Sequence, residues 1–183
     1  ENGGFFDATG EDKSLLVRTK ESYDGAEPSG NSIAILNLLR LSQMFDKKEW
    51  KEAAEKSFSY FSEQMKHNPH ALVQFLVAVD FLLSTPKEII IAGNKNDETT
   101  KAMLKEIYSR FLPTKVLLLA DGDMGQSFLS SRNKFFAGIK AVNEKSSAYI
   151  CENFVCNAPV NSSDEIAALL EYCYINHGKK KSP

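Results

Sequence analysis

The spacing of hydrophobic residues changes once along the chain, at Pro86, and this change limits the folds it can adopt. Before Pro86, apolar residues recur at steps of three and four, which is typical of α-helices. After Pro86, short β-branched and aliphatic runs alternate with helical segments, which favours an α/β arrangement. We therefore predict a mixed α and β chain, with a helical domain at residues 1–86, an α/β subdomain at 87–177 and a basic tail at 178–183.

The first domain is predicted to contain three helices. Residues 33–45 are apolar around most of the helix circumference, so this helix should be buried on most sides. Residues 48–66 have the pattern of an amphipathic helix. A third helix is predicted at residues 70–84, after the break at "HNPH", and Pro69 suits its first turn. Buried and amphipathic helices therefore alternate, with short connections between them.

The subdomain is predicted to contain three strands, "KEIIIAG", "TKVLLLADG" and "SSAYICENFVCNAPV". A helix capped by Asp97 joins the first two strands. Strand, helix and strand make a βαβ unit, so these two strands should be parallel. The segment "SSDEIAALLEYCYI" predicts a closing helix with Ser162 or Ser163 as its N-cap.

Charge and composition exclude several classes of protein. A net charge of −2 and a pI near 6.0 give no general attraction to nucleic acid or to an anionic membrane. No apolar run approaches the roughly 18 residues of a membrane-spanning helix. Three cysteines in 183 residues are not a disulfide framework, so we expect a reducing, cytoplasmic setting. The opening Glu-Asn-Gly-Gly, which has no initiator methionine, suggests a piece of a longer protein.

The best candidate site is "YDGAEPSGNS", residues 23–32, which leads into the first helix. Ser29 or Ser32 can cap that helix, but capping leaves the side chains of Asp24, Glu27 and Asn31 unexplained. Polar groups beside a buried helix must be paired or face a solvated cavity. Two interpretations stay open: a structural loop, or a pocket that binds the hydroxyls of a sugar-like ligand or performs acid–base chemistry.

Two other loops carry weaker signals. "IAGNKND" lies at the end of a strand, where α/β folds bind ligands, but it lacks GxGxxG and has acids in the following helical turn. "ADGDMGQS" places Asp121 and Asp123 two apart but lacks the other oxygen ligands and the glycine of a calcium loop. We predict a flexible turn there, and no metal site and no cofactor in the chain.

The cysteines and histidines do not form a recognisable catalytic set. Cys151 and Cys156 are five residues apart, which places them on opposite faces of an extended strand, roughly 16 Å apart. A disulfide needs Cα atoms within about 7 Å, so this pair cannot bridge unless the strand bends, and the spacing is not CxxC. We expect both to be small buried apolar residues, and Cys173 to be inert on the last helix. The histidines, 67, 70 and 177, fall in a helix break and a tail, with no sign of a triad.

Four segments of the chain carry a family resemblance. They are "GGFFDATGEDKSLLVRTKESYDGAEPSGNSIAILNLLRLS", "EIIIAG", "FLPTKVLLLADG" and "AYICENFVCNAPV". In this order they resemble the C-terminal region of the YyaL-type, or DUF255, proteins. The resemblance implies an N-terminal thioredoxin-like domain elsewhere in the protein, followed by an α/α toroid of the six-hairpin glycosidase and N-acylglucosamine 2-epimerase type. It implies no thioredoxin activity for this chain.

The same resemblance implies where a site would lie. In an α/α toroid the ends of the inner helices surround a central pocket, so the candidate loop would lie at the pocket rim. The expected ligand contacts are Tyr23, Asp24, Glu27 and Asn31, and Asp7, Glu11 and Asp12 are possible additions. Three helices supply only a sector of such a ring. We therefore expect the helices to pack against the remainder of a longer chain or against a second copy in a homo-oligomer.

Three function classes follow from these observations. The chain could form one side of a carbohydrate-binding or epimerase- or glycosidase-like pocket. It could instead be a non-catalytic interaction domain, accessory to a thioredoxin-like module outside this chain. A small nucleotide-binding module at residues 93–97 is the third class. The sequence leaves open whether the chain is an enzyme at all.

Overall fold

A computed structural model describes residues 2–178, and the side chains as far as Glu171. The chain divides into two compact units, Glu1–Thr85 and Pro86–Pro183. The side chains of Cys173 and His177 lie outside the described residues, as does the predicted basic tail beyond Gly178. None of the helices in the described part is both long and apolar enough to cross a membrane.

The helical unit contains the three predicted helices. These are α1 (Gly30–Phe45), α2 (Lys48–His67) and α3 (Val73–Leu83), and a single 3₁₀ turn, Pro69–Ala71, precedes α3. Helix α1 packs against both α2 and α3. Phe75 of α3 contacts Phe58 and Phe61 of α2 edge to face, with ring centroids 5.2 and 5.6 Å apart. These edge-to-face contacts contribute to the packing of α3 against α2.

Helix α1 is less enclosed than its sequence predicts. Ile35, Leu36 and Leu39 are buried, but Ile33 and Leu41 are 39% and 37% exposed. Asn37, which is also exposed, lies between them at a four-residue step, so the three side chains share one stripe of the helix. Two neighbouring helices cannot cover a helix that is apolar on more than two sides, and this stripe stays open in the helical unit.

The second unit is a mixed sheet with helices. Its elements are β1 (Lys87–Ala92), α4 (Glu98–Tyr108), β2 (Val116–Ala120), α5 (Met124–Arg132), a 3₁₀ helix (Lys134–Gly138), β3 (Ser147–Glu152), β4 (Val155–Cys156) and α6 (Ser163–Gly178). The strand order is β2-β1-β3-β4. The predicted parallel pairing of β1 with β2 is confirmed, whereas β3 is antiparallel to both β1 and β4.

The prediction of three strands is wrong, because "SSAYICENFVCNAPV" folds back on itself. Asn153 and Phe154 both adopt positive φ, 49° and 63°, and they connect β3 to β4. Two consecutive residues with positive φ form the tight turn that matches the twist of a β-hairpin. Among residues 2–178 the sheet therefore has four strands, and its last strand is only two residues long.

Strand β1 occupies an interior position in the sheet, and all six of its residues are buried. Ile89 and Ile91 point to one face, where they join a core with residues from α4, β3 and α6: Met103, Ile107, Ala148, Ile150, Ile166 and Leu170. Because side chains alternate along a strand, Glu88, Ile90 and Ala92 point to the opposite face. The two charged residues that begin β1, Lys87 and Glu88, are therefore both buried, and they point to opposite faces of the sheet.

The predicted flexible turn at "ADGDMGQS" is also wrong, because α5 begins within it. The Asp121 carboxylate accepts hydrogen bonds from the backbone N–H groups of Asp123 and Gln126 (2.9 Å each) and Gly125 (3.3 Å). These bonds lower the pKa of Asp121, and the bond from the Asp123 N–H has the largest effect. They also satisfy backbone donors at the start of the helix. A short, mostly polar helix leaves no amphipathic pattern that could reveal it.

The start of α6 confirms the predicted cap. The Ser162 hydroxyl accepts from the Glu165 backbone N–H (3.3 Å), and the Glu165 carboxylate accepts from the Ser162 backbone N–H (3.0 Å). This reciprocal pair is a capping box. Asp97 precedes α4 as predicted, but its side chain makes no capping hydrogen bond.

The fold predicts a large loss of stability when the β1 core is truncated. Ile91→Ala should lower the free energy of unfolding of the α/β unit by about 2–5 kcal/mol, because it leaves a cavity beside Met103 and Ile150. Leu16→Ala is the control, since Leu16 is 98% exposed and should change stability by less than about 0.5 kcal/mol. Denaturant unfolding measures both, and equal effects would contradict the assigned core.

Candidate functional site

Asp24 is a structural residue of the candidate loop. Its carboxylate accepts hydrogen bonds from the Ser29 backbone N–H (2.8 Å), the Ser32 hydroxyl (3.0 Å) and the Phe75 backbone N–H (2.9 Å). The first two lie at the start of α1 and the third in the first turn of α3. The side chain is buried, so a single carboxylate joins two helix N-termini inside the helical unit.

Asn31 joins the N-terminal segment to α1. Its amide oxygen accepts from the Phe5 backbone N–H (2.6 Å), and its amide nitrogen donates to the carbonyl oxygens of Phe5 (3.0 Å) and Glu21 (2.7 Å). The side chain is almost fully buried. These bonds occupy the amide group, so Asn31 orders the chain around residues 5 and 21.

Tyr23 and Glu27 are the exposed members of the predicted site. The Tyr23 ring is 60% exposed and packs on Gly25, where a Cβ atom would lie 2.8 Å from the ring. Glu27 is exposed, and its carboxylate makes no hydrogen bond or ion pair within the described part of the chain. The Gly25 backbone N–H donates to the Glu27 carbonyl (3.2 Å) and tightens the loop. The four predicted residues therefore divide into two buried, fully bonded groups and two solvent-facing ones.

The additional acids of the N-terminal segment are dispersed. Asp7 accepts from the Thr19 hydroxyl (2.8 Å) and from the Glu21 backbone N–H (3.2 Å). Asp12 accepts from the hydroxyl and backbone N–H of Ser14, and these bonds lower its pKa. Glu11 is exposed. A shallow depression of about 540 Å³ lies in this segment, lined by Phe6, Thr9, Gly10, Asp12, Leu15, Leu16 and Arg18.

The weaker loop at the end of β1 is a tight turn. A Cβ atom on Gly93 would lie 2.5 Å from the Ser146 hydroxyl and 2.7 Å from the Thr100 hydroxyl, so glycine is required there. Those two hydroxyls are hydrogen-bonded to each other at 2.8 Å. Across residues 2–171, no three His, Cys, Asp or Glu side chains lie close enough to hold a metal ion.

Cys151 and Cys156 form a disulfide, which corrects the prediction that they are separate buried thiols. The hairpin turn at residues 153–154 brings their Cα atoms to 3.9 Å, in place of the roughly 16 Å of a continuous strand. The strand makes the bend that such a bridge requires. The cysteine-based argument for a reducing compartment loses its support, and the cytoplasmic location stays a prediction.

Glu88 lies beside this disulfide and was missed by sequence reasoning. Its register partners are Val116 on β2 and Cys151 on β3, and paired residues on neighbouring strands share a face of the sheet. Glu88 is 3% exposed, and its Oε1 atom has no hydrogen-bond partner in the described structure. Burial raises the pKa of Glu88 from 4.5 to about 7.

A signal for Glu88 was present in the sequence. "KEIII" places two charged residues at the start of a strand predicted to be buried on both faces, where charges need partners. Lys87 obtains one, because it pairs with Glu152, the residue opposite it on β3. Only the strand register reveals that Glu88 lies opposite Cys151.

Comparison with known proteins finds relatives whose names state no activity. The chain is 37% identical to spermatogenesis-associated protein 20 of Homo sapiens over 171 residues, and 38% identical to the Rattus norvegicus protein of that name over 169 residues. It is 30% identical over 168 residues to an uncharacterized protein of Caenorhabditis elegans.

These alignments cover 93%, 92% and 91% of the chain, but only 22%, 21% and 22% of the respective relatives. The chain therefore spans about a fifth of the length of the curated relatives it matches. No protein-family model matches the chain, and no solved structure matches it.

The geometry of Asp24 predicts a structural defect when its charge is removed. Asp24→Asn should lower the free energy of unfolding of the helical unit by about 2–4 kcal/mol, because three buried donors lose a charged acceptor. Hydrogen exchange at the Phe75 amide should accelerate in parallel. Glu27→Gln is the matched control and should leave both quantities unchanged, and an equal effect of the two variants would exclude the structural role.

The burial of Glu88 predicts a stability that falls as pH rises. Its pKa is about 7 in the folded chain and near 4.5 when unfolded, so between these values only the folded state holds the proton. The free energy of unfolding of the wild-type α/β unit, minus that of the Glu88→Gln variant, should be constant below about pH 4.5. It should then decline by up to about 3 kcal/mol by pH 7. Denaturant unfolding at several pH values measures this difference, and a pH-independent difference would contradict the burial.

Proposed function

We propose that the chain is a non-catalytic packing segment of a larger protein of the spermatogenesis-associated protein 20 type. The observation that carries this proposal is the bonding of Asp24 and Asn31. Both side chains are used within the helical unit, so neither is available for acid–base chemistry. A loop with its central groups occupied in this way supports a structural role.

The apolar surface of α3 supports the same proposal. Val73, Leu76, Val77 and Leu83 are all exposed, and Leu83 is 77% exposed. In the first two turns of α3 the exposed side chains at positions 73, 76 and 77 are spaced three and four apart, so they share one side of the helix. A helix that exposes apolar residues in such a stripe is typical of a surface covered by another segment.

The occupant we propose is helical structure from the rest of the longer protein. The relatives extend for about four fifths of their length beyond the matched part, which is enough chain to supply it. In this arrangement α1, α2 and α3 are a sector of an α/α toroid, as the resemblance to YyaL-type (DUF255) proteins implies. A second copy of the chain is the alternative occupant that the following experiment must separate.

The test uses the α3 surface directly. The isolated chain should self-associate in light scattering, because its apolar face is uncovered, and the double variant Leu76→Gln/Val77→Gln should be monomeric. When the chain is expressed together with the rest of the longer protein, the wild type should join it in a heteromeric complex and the double variant should not. Leu16→Gln, which alters an exposed leucine that lies outside α3, is the control.

Two results would overturn the proposal. A monodisperse monomer of the wild-type chain would contradict an uncovered face. A stable dimer that persists when the rest of the protein is present would assign the face to a homo-oligomer instead.

A carbohydrate-binding function is a second proposal, favoured by Tyr23 and Glu27. An exposed aromatic ring and an exposed carboxylate lie four residues apart on a loop that Asp24 holds rigid. A ring of this kind can stack on the apolar face of a sugar while the carboxylate accepts hydrogen bonds from hydroxyl groups. In this proposal the loop forms one side of a pocket completed by the longer protein.

Saturation-transfer NMR with a panel of monosaccharides tests this second proposal in the intact protein. Tyr23→Ala and Glu27→Gln should each abolish the transfer signal without changing stability, since both residues are exposed. If no sugar gives a signal with the wild type, or if both variants bind as the wild type does, the proposal fails.

A further inference from the structure

Three side chains lie in a row across the sheet. Cys151 on β3 is the register partner of Glu88 on β1 and of Cys156 on β4. Directly paired residues have Cβ atoms about 4.5–5.5 Å apart and share one face of the sheet. The disulfide and the buried carboxyl group are therefore neighbours on adjacent strands, although 63 residues of chain separate Glu88 from Cys151.

The two cysteine residues differ in their exposure to solvent. Cys151 is 1% exposed, whereas Cys156 is partly exposed on the two-residue strand at the edge of the sheet. Phe154 and Val155, at the hairpin turn, are also exposed. An incoming thiol can therefore approach Cys156 from the sheet edge, next to an apolar contact surface, but cannot approach Cys151.

In the part of the chain that the structure describes, Glu88 has no hydrogen-bond partner that accounts for its burial. Its Oε1 atom is unpaired among the described residues, whereas neighbouring Lys87 pairs with Glu152 on the opposite face of the sheet. A buried carboxyl group without a partner costs stability, since its polar atoms give up hydrogen bonds to water. Its raised pKa means that it holds or releases a proton near neutral pH.

We propose that Cys151 and Cys156 are a reducible redox pair, in which a thiol attacks Cys156 and Glu88 exchanges a proton with Cys151. The reductant is a thiol or dithiol, such as glutathione or a dithiol protein. Nothing in the helical unit takes part, so this function is independent of the packing role.

The exchange balances in two steps. The thiolate of the reductant bonds to the sulfur of Cys156, the Cys151–Cys156 bond breaks, and Cys151 leaves as a thiolate that takes the proton of the Glu88 carboxyl group. A second thiol then attacks the reductant sulfur of the mixed disulfide and releases Cys156, which takes a proton from water. Two thiols are oxidised to one disulfide, the protein disulfide is reduced to two thiols, and Glu88 regains its proton from water.

Other ionisable groups near Glu88 are engaged elsewhere. Tyr149 of β3 lies on the same face of the sheet as Glu88, and its hydroxyl donates a hydrogen bond to the Lys140 carbonyl (2.7 Å). Arg132 of α5, the helix that packs on β2, lies 3.4 Å from the centroid of the Phe128 ring. Lys134 is exposed, and Lys87 and Glu152 pair with each other across the other face. Glu88 is therefore the group placed to exchange a proton with Cys151.

The first experiment tests the order of attack in the intact protein. The protein is titrated with reduced and oxidised glutathione, trapped with a maleimide and mapped by peptide mass spectrometry. We expect residues 151 and 156 to be oxidised and reduced together, and glutathione to be found on Cys156 in the Cys151→Ser variant. In the Cys156→Ser variant, Cys151 should carry no glutathione in the folded state. Glutathione on Cys151 alone, or a pair that is reduced only after unfolding, would overturn the proposal.

The second experiment isolates the role of Glu88. Glu88→Gln keeps the size of the side chain but cannot give up a proton, and it should slow reduction by glutathione at pH 7 by at least about tenfold. The ratio of the wild-type reduction rate to that of Glu88→Gln should fall between pH 6 and pH 8, because Glu88 loses its proton in this range. A purely structural role would not produce this trend. Glu144→Gln, at an exposed turn residue, is the control. Equal rates and equal pH profiles for Glu88→Gln and the wild type would exclude the proton-exchange role.

Discussion

The α/β unit depends on the complete burial of β1. This strand pairs with β2 on one side and β3 on the other, so its backbone hydrogen bonds determine the register of both neighbours. Ile89 and Ile91 form the core with α4 and α6, and Glu88 lies on the opposite face with Ile90 and Ala92. Because the register is fixed, the positions of Cys151 and, through the hairpin, of Cys156 are fixed as well. The arrangement of carboxyl group and disulfide is thus a consequence of how β1 is buried.

The helical unit is organised by hydrogen bonds from a loop. Asp24 and Asn31 connect residues that are far apart in the sequence, and they tie the N-terminal segment to α1 and α3. The polar groups that suggested a binding site are therefore the ones that hold the unit together. Among the exposed surfaces of the unit, the apolar stripe of α3 supports the packing proposal, and the pair Tyr23 and Glu27 supports the carbohydrate proposal.

The sequence predicted those features that depend on local periodicity. The three helices of the first unit, the parallel pair β1 and β2 and the Ser162 cap follow from residue spacing, because each is decided by residues close in the chain. The hairpin was missed because its turn uses Asn153 and Phe154 without a glycine, so nothing marked the bend. The bonding of Asp24 could not be predicted, since its partner Phe75 lies 51 residues away. Glu88 was missed for the same reason, because its neighbour Cys151 is set by strand register.

The redox proposal depends on Glu88 being a buried carboxyl group beside the disulfide that keeps part of its proton at neutral pH. Carbon-13 NMR of the Glu88 carboxyl carbon, followed from pH 4 to pH 9 in the oxidised protein, tests it most directly. We expect a single titration centred near pH 7, displaced from the ordinary value of 4.5 by burial. A titration centred near pH 4.5 would show a solvated carboxylate and would exclude the proton-exchange role of Glu88.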